Sequence, residues 1–122
     1  MAAPNLQTPT TINGKTAFLA LSSTNETAFL SNAASSGKLQ TLYSLTIANN
    51  SSAGTADVTI RVYNAASGGT AFVVGPITVP VGGAVIPIGA ENRLNLEEDR
   101  RITIQASAAN YLTAIASYDE VS

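Results

Sequence analysis

The chain has 122 residues and a formal net charge of −2, which suits one domain with its own core and leaves no room for a second. It contains no Cys, no His and no Trp, so disulfide scaffolds, zinc sites, haem ligation, cysteine nucleophiles and any Ser-His-Asp triad are excluded. Six Lys and Arg against eight Asp and Glu is the wrong balance for a nucleic-acid groove, and no apolar run approaches the length of a membrane helix.

In chain order, residues 1–11 come first and differ from the rest. Met1 to Gln7 shows neither a basic stretch nor an apolar core, so it does not read as a secretion signal. The segment carries Pro4 and Pro9, no charged side chain and no alternation, which predicts an extended N-terminal arm. Proline fixes φ and lowers the entropy lost on docking, and Leu6 is the only large apolar residue after Met1. Pro4, Leu6 and Pro9 are therefore predicted interface residues, with Leu6 as the anchor.

From residue 12 onward a period of two dominates, the mark of half-buried antiparallel strands. Strands are predicted over 12–21, 25–31, 38–48, 55–64, 70–80, 83–89, 93–96, 100–108 and 111–119. The alternation is clean at Ala56, Val58, Ile60 and Val62, and again at Ile102, Ile104 and Ala106. Along 39–47 the apolar set sits on odd positions but is interrupted at Thr41, and Tyr43 and Tyr118 fall on the predicted core faces. Asn13-Gly14 reads as a hairpin turn or a kink within one long strand. Pro80 and Pro87 lack amide donors, which places their strands at a sheet edge or beside a bulge. No segment of ten residues carries a helical stripe. The expected fold is all-β, an antiparallel two-sheet β-sandwich of immunoglobulin-like or jelly-roll topology, formed by residues 12–122 as one domain. The predicted core is Leu19, Leu45, Ile47, Val58, Ile60, Val62, Ile77, Val79, Ile86, Leu96, Ile102, Ile104, Leu112 and Ala114.

Half of the 14 charged side chains fall within 91–101: Glu91, Arg93, Glu97, Glu98, Asp99, Arg100 and Arg101. Successive carboxylates on a turn point apart, and no calcium-loop spacing is present, so local or intersubunit ion pairing is favoured over a metal site. Glu97, Glu98, Arg100 and Arg101 join the predicted interface. Gly68-Gly69 and Gly82-Gly83 lead into no helix and lack the Lys of a phosphate loop, so they read as turns. The sequons at Asn25, Asn49 and Asn50 number about what chance gives and carry no weight. Four Tyr are too few and too scattered to favour a sugar platform. No catalytic, cofactor-binding or metal-ligating residue is predicted, and the chain is not expected to be an enzyme.

Met1-Ala2-Ala3-Pro4-Asn5, the run Thr11 to Ala17, Ser44 to Asn49, Ala56 to Ile60, Leu94 to Asp99, Ile102 to Ser107 and the ending Ala116 to Ser122 resemble the small virion structural proteins of tailed phages that infect marine cyanobacteria. That family typically has Gly-Asp after the paired glutamates, where this chain has Asp99-Arg100. Asp tolerates the left-handed backbone that Gly serves there. The resemblance implies a non-enzymatic virion role. Charged residues are 11% of the chain against about 25% in an average soluble domain, which points to surface covered by partners. A capsid decoration or cement protein on the phage head surface is expected. Its partners would be the major capsid protein or other virion proteins and further copies of itself, a trimer favoured, with no nucleic acid and no membrane. The alternatives are a neck or tail component and a host-glycan-binding domain.

Overall fold

A computed structural model describes residues 11–65, 67–89 and 93–122. Nine strands follow one another: β1 (Ile12–Ala20), β2 (Thr27–Asn32), β3 (Leu39–Asn49), β4 (Ala56–Tyr63), β5 (Ala71–Val79), β6 (Ala84–Ile88), β7 (Leu94–Leu96), β8 (Arg100–Ala106) and β9 (Leu112–Val121). They form two antiparallel sheets, one ordered β1-β9-β3-β6 with β7 also paired to β3, the other β2-β8-β4-β5. The two-sheet all-β expectation is met, with a sandwich-like arrangement consistent with immunoglobulin-like or jelly-roll topology.

Asn13-Gly14 lies inside β1, paired to Asp119 and Glu120, so the chain passes through it without turning. β5 and β6 are edge strands, as their prolines require: Pro76 and Pro87 sit within them and Pro80 follows β5. β4 and β5 shift register between Val58 and Ile60, where Gly75 adopts φ +113°. A Cβ at Gly75 would meet the Val58 carbonyl at 2.8 Å, so this close approach needs glycine. The turn before β8 places Asp99 at φ 61°, the left-handed conformation anticipated for it.

The core lies between the sheets and is built from Leu42, Leu45, Ile47, Val58, Ile60, Leu96, Ile102, Ile104 and Leu112, each nearly inaccessible to water. Ala56, Ala106, Ala114 and Ala116 fill it where side chains must be small. Leu19, Val62 and Ile77 pack against it half-buried.

Two predicted core faces are corrected. Ile86 is 63% exposed, because β6 is apolar at every position and only pairing decides its face. The register sets Val85 opposite the inward Ile47, which turns Ile86 outward. Tyr43 is also not a core residue. β3 shifts register against β9 between Leu42 and Ser44, so Leu42 points inward from one parity and Leu45 from the other. That irregularity is also why the apolar alternation breaks near Thr41.

Two buried amides tie the sheets together. Asn32 on β2 donates from Nδ2 to the carbonyls of Leu96 (2.9 Å) and Lys38 (2.8 Å). Asn49 on β3 donates to those of Val79 (3.2 Å) and Gly54 (3.0 Å). Each satisfies buried main-chain acceptors that apolar neighbours could not.

Candidate assembly surface

Pro4, Leu6 and Pro9 lie outside the described residues, as does Glu91 of the charged cluster. Thr11 is the last described residue of the predicted arm. Its N–H donates to the Ser122 carbonyl (3.0 Å) and its carbonyl accepts from the Ser122 N–H (2.9 Å), extending the β1–β9 ladder by one pair.

The charged turn divides by role. Arg100 donates from Nη1 to the carbonyls of Asn64 (3.0 Å) and Asp99 (3.1 Å), and its Nη2 lies 3.9 Å from Glu97. Arg101 lays its guanidinium over the Tyr63 ring at 3.6 Å and donates to the Gly68 carbonyl at 3.2 Å. Both arginines thus clamp the β4–β5 loop of their own domain. The Glu98 carboxylate oxygens are shielded from solvent without a hydrogen-bond partner among the described residues, whereas the Glu97 side chain is 64% exposed. Arg93 leaves the cluster and stacks on Tyr43, 4.9 Å from the ring centre. Among the described residues no group of three His, Cys, Asp or Glu is placed to hold a metal ion.

The other cations are equally engaged. Arg61 donates to Gln105 (2.7 Å) and lies 3.9 Å from Glu26, while Lys15 and Lys38 converge on Glu120 at 3.1 and 3.3 Å. Hydrogen bonds from Thr103 and then Tyr63 hold the Glu26 carboxyl below the usual carboxylate range, and the Tyr63 phenol is pushed up in return. Burial alone would raise Glu120, but its bonds from the two lysines outweigh that and lower it. The Tyr43 phenol, donating to Asp119, is raised by that bond. All six Lys and Arg side chains therefore meet partners inside the domain.

The described residues also present the opposite kind of surface. Residues 62–90 contain no charged side chain at all. Within that stretch Phe72, Val73, Val74, Val81 and Ile86 are exposed large apolar residues. They lie on or just after the edge strands β5 and β6, which natural sheets usually guard with charge, proline or bulges; here proline and register shifts serve, without charge. The sequence predicted the edges and an interface on the arm and the charged turn; this apolar edge is a further candidate surface, and its signal in the sequence is the long uncharged interval itself. A smaller apolar spot lies on β1 and β9, where Phe18 faces Ile115 across the ladder and is 74% exposed.

Between β5 and β6 the sandwich also opens. A cavity of about 200 Å³ runs inward there, lined by Ile60, Val62, Val74, Pro87, Ile88 and Leu94, with Arg93 also in its wall. It exists because the fourth place in the β3 sheet is shared by two short strands, β6 opposite Leu45–Ala48 and β7 opposite Gln40–Leu42.

No family model and no curated protein matches the sequence. The fold is similar to that of a Bacillus chain whose structure is described as "Bacillus endospore appendages form a novel family of disulfide-linked pili". The two share 17% sequence identity at a TM-score of 0.55, over 92% of this chain and 88% of that one, so what they share is the fold.

Proposed function

We propose that this protein is a non-enzymatic structural subunit of an extracellular assembly, and more specifically a decoration protein on the head of a tailed phage. The observation that carries the reading is the uncharged β5/β6 side, with Phe72, Val73, Val74 and Ile86 bare while every cation is engaged within the domain. A lone soluble domain gains nothing from such an edge, whereas a subunit that is covered on assembly does. The resemblance to small virion proteins supplies the phage context. Pro4, Leu6 and Pro9 of the arm, with the 97–101 turn, complete the proposed contacts to shell proteins or to further copies. Electron cryo-microscopy of phage heads with and without this protein tests the proposal. Density repeated over the head lattice is expected, and density confined to neck or tail would overturn the head assignment.

A pilus-like homopolymer is the second reading, favoured by the fold shared with a pilus-forming chain. With no cysteine, this chain could not link such a fibre by disulfides and would rely on packing alone. Fibres from the purified protein by negative-stain microscopy would favour it over the head assignment.

A further inference from the structure

We propose that the groove between β5 and β6 receives Leu6 from a second copy of this chain, an inference that rests on the assembly reading above and names its contact. The groove descends from Val74, 46% exposed at its mouth, to Ile60, which is 1% exposed. Its walls are aliphatic apart from Arg93, whose guanidinium is already stacked on Tyr43, so a polar or charged group entering it would lose most of its hydration with little return in hydrogen bonds. A branched aliphatic side chain has no such penalty and fills space that water occupies poorly. The ten residues that precede Thr11 carry no charged side chain, and Leu6 is their only branched aliphatic residue.

The same geometry disfavours the chain's own Leu6. Thr11 is held to Ser122 beside β1, at one edge of its sheet, and the groove lies beyond β3 at the other. The path crosses three strand spacings of about 4.8 Å. It must also advance three to six residues along β3, because Ile12 is level with Leu39 whereas Leu94 pairs with Leu42 and Ile88 with Leu45. Together these make a span of about 17 Å to the near end of the groove and about 25 Å to the far end, and six residues fully extended reach about 20–22 Å. Rounding the sheet edge and entering between the sheets adds to that span and takes the path to the limit of the arm or beyond it. A neighbour whose β1 side lies against this β5/β6 side needs no such detour. The arm and the groove then sit on opposite sides of each copy, a head-to-tail contact that repeats until a ring closes.

The absence of native cysteine makes the contact directly testable. The double variant L6C/V74C, mildly oxidised, is expected to give a ladder of covalent multimers on a non-reducing gel. Mixed single variants L6C and V74C should give the crossed dimer. The control L6C/F18C, with its second thiol at a still more exposed site on β1, should be captured about tenfold less. Circular dichroism checks that each variant is folded. A fast-migrating monomer with an internal disulfide would overturn the proposal in favour of docking within one chain. Multimers by light scattering with no disulfide between the two introduced thiols would overturn this contact and leave the assembly reading standing. Folded protein that neither multimerises nor cross-links would overturn both.

Discussion

Residues 93–101 and residues 62–90 use their side chains in opposite ways. The first stretch holds six of the charged residues, and its arginines turn back onto a nearby loop or ring. The second has no charge, leaves large apolar groups in water and closes its edges with prolines and register shifts. A dense charge cluster suggests an outward-facing contact surface, yet its arginines also serve internal cohesion. The apolar surface left exposed is the neutral one. Charged groups that already have geometry-matched partners offer little to a newcomer, whereas exposed apolar area gains by being covered.

That contrast can be broken at several points. The largest effect is expected where the neutral stretch meets the core: Ile60→Ala should cost about 2–5 kcal/mol, read by urea denaturation, since Ile60 is buried at the base of the groove. A loss near zero would mean the inward face is assigned wrongly. Next comes Arg101→Ala, which removes the stack on Tyr63 and the bond to Gly68 and should cost about 1–2 kcal/mol. If stability were unchanged while assembly failed, Arg101 would serve the outward contact and not internal cohesion. Phe72→Ser is the mirror case: stability should move by no more than about 0.5 kcal/mol, and incorporation into particles should fall. Normal incorporation would take the neutral edge out of the interface.

The smallest effect concerns pH. Glu26 is held below its ordinary value of 4.5 in the folded protein, so its contribution is present above that value and is lost as pH falls through the lowered one. Glu26→Gln should therefore flatten the acid limb of the stability profile. Some slope should persist, because Glu120 is lowered in the same sense. An unchanged limb would show that the Thr103 and Tyr63 bonds favour the charged form too weakly to matter.

The strands were legible because alternation is a local property, and each of the nine predicted segments coincides with an observed strand to within a few residues. Faces were legible where polar and apolar residues alternate strictly, as in β4 and β8. They were not legible at Ile86, where an all-apolar strand leaves the choice to pairing with β3, nor at Tyr43, where one extra residue reverses parity. The role of Arg100 and Arg101 was hidden for a different reason. Their acceptors, the carbonyls of Asn64 and Gly68, lie more than thirty positions away and are main-chain atoms that residue type does not reveal. Asn32 and Asn49 likewise read as turn or loop residues until the two sheets are brought together.

The pairing of β1 with β9 has a mechanical consequence. The nine register pairs from Ile12–Val121 to Ala20–Thr113 run antiparallel, so both ends of the described chain emerge side by side. Tension applied between those two ends opens the ladder one pair at a time, beginning at Thr11 and Ser122. Tension that enters through residues 1–10 and is resisted by the body of the sandwich instead pulls β1 along its own axis, and all nine pairs share the load as shear. A subunit anchored by its arm is thus loaded in its stronger direction, while a single-molecule pull on its two termini would sample the weaker one.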